Sequence, residues 1–207
     1  MQLDTASVAS DTRTEPTPRH PGSELRSRHQ TLTIALHWLT VLLVVVQFSL
    51  ALLHAQASDA DFRRDMLAAH RSLGVMIALV IIVRLGWRIF GMQLPPFPAS
   101  MSKWHQWGAR LSEWGLYGLL LAQPATGLVS IVLKGRPFTL LGFVVPPLMT
   151  PDKYWAAIGG LHLLGGYALA TLVLVHAGAA LLHRFVANDG VLDSMLPSRR
   201  QKAPPPL

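Results

Sequence analysis

Four apolar stretches, each long enough to cross a bilayer, constrain what this chain can fold into more than anything else in it. They run from about Thr33 to Leu53, Leu67 to Phe90, Leu111 to Leu133 and Tyr154 to His183. A helix needs roughly 20 apolar residues to cross a hydrocarbon core of about 30 Å. Apolar residues occupy all sides of each stretch, where a soluble bundle would keep a polar stripe. Lipid admits only helices and closed barrels, because every backbone polar group must be satisfied within the chain. The pattern predicts an all-α fold, an integral membrane four-helix bundle. Charged residues are 14% of the 207, against roughly 25% in soluble domains, and they gather between the stretches.

The segments around the spans divide the chain into three parts. Residues 1–30 are polar, rich in Ser, Thr, Pro and Arg, and read as a disordered cytoplasmic tail. They lack the apolar centre of a secretory signal, so the first span is expected to act as an uncleaved anchor. Residues 31–190 form the transmembrane domain, and 191–207 a basic, Pro-rich cytoplasmic tail. The linker GMQLPPFPASMSKWHQ (91–106) breaks helix and ends in an interfacial Trp/Lys/His stretch. Phe138–Met149 is apolar but short and holds Pro146 and Pro147, so it is expected at the membrane surface or capping the bundle.

The formal net charge is +7. Its basic residues flank the apolar runs and line no single polar face, which points to membrane topology and away from nucleic acid. With the N-terminus inside, twelve Lys and Arg fall on the cytoplasmic side and six (Arg63, Arg64, Arg71, Lys134, Arg136, Lys153) on the other. That asymmetry favours a multi-pass protein of the bacterial inner membrane with both termini cytoplasmic. The absence of cysteine excludes disulfides, iron–sulfur clusters, thiolate zinc sites and covalent haem attachment.

Strongly coordinating side chains are costly within a span and functional by default. His37, His70, His162 and His176 lie in or at the edge of the spans. The topology sorts them into two layers, His70 with His162 outside and His37 with His176 inside. His162 and His176 are fourteen residues apart, which puts them on one face of a helix about 21 Å apart. Each layer offers only two histidines, and Glu113 is the one carboxylate at a span edge. Zinc and di-iron sites need three or four protein ligands. A porphyrin supplies four nitrogens itself, so two axial histidines complete an iron, and the pattern predicts two haems of the b type. Gly74, Gly159, Gly160, Gly165, Gly166 and Gly178 would let a flat macrocycle approach, or else serve close helix packing. Arg84, fourteen residues after His70, either pairs with a haem propionate or snorkels to the interface. His183, two turns after His176, is a candidate quinone ligand flanked by Trp38 and Trp87, or an ordinary interfacial residue.

Over roughly residues 28–200 the chain resembles the bacterial cytochrome b561 family. The resemblance rests on LHWLT (36–40), AHRSLG (69–74), IVRLGWR (82–88), AQPATG (122–127), LHLLGGY (161–167), VHAGAALLHRF (175–185) and MLPSRR (195–200). It implies two b haems, one on His37 and His176 and one on His70 and His162. It further implies a superoxide oxidase-like activity, with superoxide oxidised on the periplasmic side and ubiquinone reduced in the membrane. Gln123 departs from the family's pattern, which usually has an apolar residue before the proline. Bis-histidine coordination leaves no open iron position, so the irons relay electrons. The alternative is a cytochrome b subunit passing electrons between a partner dehydrogenase or hydrogenase and the quinone pool. Expected partners are therefore membrane lipid, quinone, superoxide and, on the alternative, a redox partner protein. The topology is open to test: a C-terminal tag should be cleaved by protease in inside-out vesicles and protected in right-side-out ones, and the reverse would invert both layers.

Overall fold

The computed structural model describes residues 21–91, 102–187, 192, 195 and 196, with side chains from Thr31 onward. Residues 1–20 of the expected N-terminal tail, 92–101 of the linker and 197–207 of the C-terminal tail lie outside the described residues. Helices α1 (Pro21–Gln56), α2 (Ala60–Phe90), α3 (Lys103–Leu133) and α4 (Trp155–Leu182) make up the bundle, and α4 runs into a π-helical turn, His183–Ala187. All four are long and apolar enough to cross a membrane. Residues 21–30, read from the sequence as tail, are helical and extend α1. Pro21 suits the first helical position, where its missing N–H costs nothing.

The helices form two hairpins, α1 with α2 and α3 with α4, joined where α2 packs on α3. Between them lies a small core of Val44, Ile77, Ile81, Tyr117, Leu120 and Leu169. Most other large apolar side chains point outward, among them Leu42, Val45, Leu79, Val83, Leu164 and Leu174. In water this surface would drive aggregation, and in a bilayer it is the face that meets lipid. Hydroxyls within the spans turn back onto their own helix: Thr40 donates to the Leu36 carbonyl, Ser49 to Val45, Ser72 to Ala68 and Thr126 to Ala122, at 2.7–2.9 Å. Each thereby satisfies its proton without water. Asp59 caps α2 by accepting from the Phe62 amide at 2.7 Å.

The segment after α3, expected to lie flat or cap the bundle, contains a β-hairpin of β1 (Phe138–Leu140) and β2 (Phe143–Val145), paired antiparallel. Leu141 (φ 49°) and Gly142 (φ 82°) form its tip, and two successive positive φ values match the twist of the strands. The hairpin packs on the start of α2: Phe138 is buried, and the Leu141 amide donates to Ser72 Oγ at 2.8 Å. Gly135 (φ 62°) makes the turn into this segment, where a Cβ would stand 2.6 Å from the Pro151 nitrogen.

One ion pair ties the two hairpins. Arg88 on α2 donates through both terminal nitrogens to the Glu113 carboxylate on α3. The Arg88 side chain is 8% exposed and its guanidinium lies 5.4 Å from the Trp114 ring centre. Removing one member of a buried pair strands the other, at about 3–5 kcal/mol. Glu113→Leu should therefore lower the thermal unfolding midpoint in detergent, and adding Arg88→Leu should recover part of the loss. A double variant as unstable as the single one would show that the stranded charge is not the cause.

Candidate functional site

His70 on α2 and His162 on α4 face each other near the hairpin-capped end, with ring centres 6.2 Å apart and planes at 90°. Each ring is fixed by the helix beside it. His70 Nδ1 lies 3.2 Å from the Gln47 carbonyl of α1, and His162 Nδ1 lies 2.9 Å from the Gln123 carbonyl of α3. A carbonyl oxygen only accepts, so both rings carry their proton on Nδ1 and keep the lone pair on Nε2. Thr126 Oγ1, 3.3 Å from His162 Nδ1, already donates to the Ala122 carbonyl and so accepts here. Fixing one imidazole nitrogen by a donated hydrogen bond while the other faces a metal is the usual second layer of a metal site. Two close imidazoles with lone pairs on Nε2, one from each hairpin, would serve as the protein ligands of one metal ion between the helices.

Small residues make room for these rings. At Gly127 a Cβ would stand 3.0 Å from His162 Cε1, so a side chain there would press on the imidazole and shift it by a few tenths of an ångström. Among the described residues, no three His, Cys, Asp or Glu side chains come together. The donors come in twos, which suits an ion that brings its own equatorial ligands and does not suit a tetrahedral protein site.

At the opposite end, His37 on α1 lies within electrostatic range of Arg84 and His176. An Arg84 terminal nitrogen is 3.1 Å from His37 Nδ1, and its guanidinium lies 5.6 Å from the Tyr117 ring centre. Guanidinium only donates, so His37 Nδ1 accepts. His176 Nδ1 is 3.4 Å from Ser112 Oγ, one residue before Glu113. Arg84 therefore lies beside the His37 ring.

His183 stacks edge-on against His105, with ring centres 6.3 Å apart. Trp38 donates to the Met195 carbonyl at 2.8 Å, while Trp87 donates to Thr33 Oγ1 at 3.1 Å. Trp87 also lines a lipid-facing groove of about 380 Å³ with Leu32, Leu36, Val83, Gly86, Phe90 and Gly91.

At the His70 end, a cleft of about 300 Å³ opens between the start of α2 and β1, lined by His54, Arg63, Arg64 and Arg71 with Pro137, Phe138 and Thr139 among others. Arg64 is 3.0 Å from Asp61 and 3.9 Å from Asp65. Among the described residues, neither Arg63 nor Arg71 lies within salt-bridge distance of a carboxylate.

Sequence reasoning missed Gln47, Thr126, Ser112 and Tyr117, which hold or adjoin the four histidines. A glutamine at position 47, in mid-span, was the available signal, since a polar amide in hydrocarbon needs a partner.

The chain matches known proteins over most of its length. The family model for prokaryotic cytochrome b561 matches residues 28–198. The chain is 28% identical to cytochrome b561 homolog 2 of Escherichia coli (strain K12), over 82% of its own length and 91% of the relative's. It is 28% identical to homolog 1 of the same organism, over 84% and 99%. It is 27% identical to a probable superoxide oxidase, CybB, of Yersinia pestis, over 85% and 99%. Four membrane-crossing helices, the His70–His162 pair between them, and a family match across most of its length place this chain in the prokaryotic cytochrome b561 family, whose name implies a b haem.

Proposed function

We propose that the protein carries electrons across the bacterial inner membrane on two b haems, oxidising superoxide on the periplasmic side and reducing ubiquinone. The observation that carries this reading is the His70–His162 pair, with its 6.2 Å ring spacing and both Nδ1 protons committed to carbonyls. The similarity to a probable superoxide oxidase supports the choice of donor. When bound, haem supplies a one-electron ferric/ferrous couple. The overall reaction takes two superoxide anions, one quinone and two protons to two dioxygen molecules and one quinol.

His70 and His162 would hold one haem through Nε2, and His37 and His176 the other. At the second site, ligation through His37 Nε2 requires the proton to sit on Nδ1. Arg84 must then release that nitrogen, and its freed guanidinium becomes available to an anionic propionate. Ser112 is placed to hold the His176 ring.

The ends differ in what they could admit. In the proposed topology the cleft at Arg63, Arg64 and Arg71 opens on the periplasmic side, and its two arginines without carboxylate partners would draw a small anion toward His70. The lipid-facing groove at Trp87 suits an isoprenoid tail at the cytoplasmic side. His183, beside His105 at the end of α4, is assigned the role of passing a proton to the quinone.

Rapid mixing of purified protein with superoxide tests the function directly. Haem should be reduced on mixing and reoxidised on adding ubiquinone; no reduction by superoxide would leave the partner-subunit alternative standing. His70→Ala and His162→Ala should each halve the haem content and spare the other haem, whereas full occupancy would remove the ligand assignment. Arg63→Gln with Arg71→Gln should slow reduction by superoxide about tenfold at low ionic strength and flatten its salt dependence. An unchanged rate there would show that the cleft does not steer.

A further inference from the structure

We infer that Gln47 and Gln123 are a matched pair of positioning residues, each locking one axial histidine of the His70/His162 haem to the neighbouring helix by a reciprocal two-bond clamp. This rests on the proposed assignment of His70 and His162 as ligands. The clamp is the same on both sides. The His70 ring donates to the main-chain carbonyl of Gln47, and the Gln47 amide returns a bond to the main-chain carbonyl of His70, at 3.2 and 3.0 Å. The His162 ring donates to the carbonyl of Gln123 at 2.9 Å. The groups around the Gln123 amide fix its orientation: the nitrogen donates to the His162 carbonyl at 2.9 Å and the oxygen accepts from the Gly166 amide at 3.3 Å.

The sequence carries the same repeat. Gln47 lies on the first helix of hairpin α1–α2 and Gln123 on the first helix of hairpin α3–α4. On each second helix a glycine follows the histidine within about one turn, Gly74 after His70 and Gly165 after His162. The glycine leaves the space that the glutamine amide occupies. A Cβ at Gly74 would stand 3.3 Å from Gln47 Nε2, and one at Gly165 would collide with the end of the Gln123 amide. The two hairpins thus present similar units, a glutamine and a histidine followed by glycine, to one another across the bundle.

A second bond of Gln47 shows what ligation changes. Its Nε2 is also 3.2 Å from His70 Nε2, the nitrogen whose lone pair would go to iron. Ligation takes over that contact and leaves the bond to the His70 carbonyl intact. Gln47 Oε1 is buried without a hydrogen-bond partner among the described residues. An orphaned buried acceptor is costly, and it is tolerated where the rest of the group is held for a purpose.

The physical consequence lies in the ligand's basicity. A firm Nδ1–H···O=C bond makes the imidazole a stronger donor and favours ferric iron, which lowers the midpoint potential. The side-chain arm of each clamp prevents the helices from sliding and stretching that bond. Methionine keeps the length of glutamine and removes its donor. Gln47→Met should therefore keep two haems, raise the midpoint potential of one and leave the other unchanged. The shifted haem should also pass to a haem-scavenging apoprotein about tenfold faster. The unshifted haem in the same molecule reports that the bundle has folded. Gln123→Met gives the same reading from the other side, at a position where the family usually has an apolar residue, and stands in should Gln47→Met fail to accumulate.

The His70→Ala variant separates the two levels of the argument. Retention of both haems there would overturn the ligand assignment and the clamp with it. Loss of one haem in His70→Ala, with unchanged potentials and haem-loss rates in both glutamine variants, would overturn the clamp alone. A shift of the His37/His176 haem in place of the other would overturn it equally.

Discussion

A polar atom inside a bilayer has no water to turn to, and each one in this bundle must find its partner on the chain itself. That requirement shapes the structure at every level. Hydroxyls bond back to carbonyls one turn earlier, as Thr40 and Ser72 do, so they cost the helix little and leave its surface apolar. The charged Arg88 meets Glu113 and the face of Trp114, which joins α2 to α3 at the point where the two hairpins touch. The imidazoles obey the same rule with one difference. The Nδ1 protons of His70 and His162 are satisfied by carbonyls of neighbouring helices, while their Nε2 atoms keep a lone pair that a metal could use. With the other ring nitrogen held in this way, Nε2 is the available chemistry at that end of the bundle.

Most of the architecture was legible because hydropathy and helical pitch are local properties. The four spans and the depth of each histidine follow from counting residues, and the structure brings His70 and His162 together as that depth implied. What could not be read depends on rotation about helix axes and on contacts between them. Arg88 and Glu113, a carboxylate at a span edge, carry nothing in a single sequence that says they face each other. The hairpin at Phe138–Val145 was hidden for another reason. Strands of three residues are too short to show alternation, and the Leu141–Gly142 turn was the single cue. Gln123 was noticed as a departure and left without a role because its partner, a main-chain carbonyl, has no signature in sequence.

The two histidine layers are prepared to different degrees. At the His70/His162 end both rings already present Nε2, their protons held by main-chain carbonyls that cannot change role. At the His37/His176 end the first ring accepts from Arg84, and its proton must move before it can ligate through Nε2. The same contrast bears on the direction of electron flow in the proposed function. Carbonyls behind the ligands enrich the imidazoles in electron density and favour the oxidised iron at the His70/His162 site. A guanidinium beside the His37/His176 site acts the other way: a nearby positive charge favours the state with one more electron. Arg88 adds little there, because Glu113 neutralises it. Arg71, within electrostatic range of His70, acts at the first site as Arg84 does at the second, so charge alone does not order the two potentials. In the proposed function electrons would enter beside the basic cleft at Arg63 and Arg71 and leave at the end that carries the groove and His183, passing between the two histidine layers through the bundle.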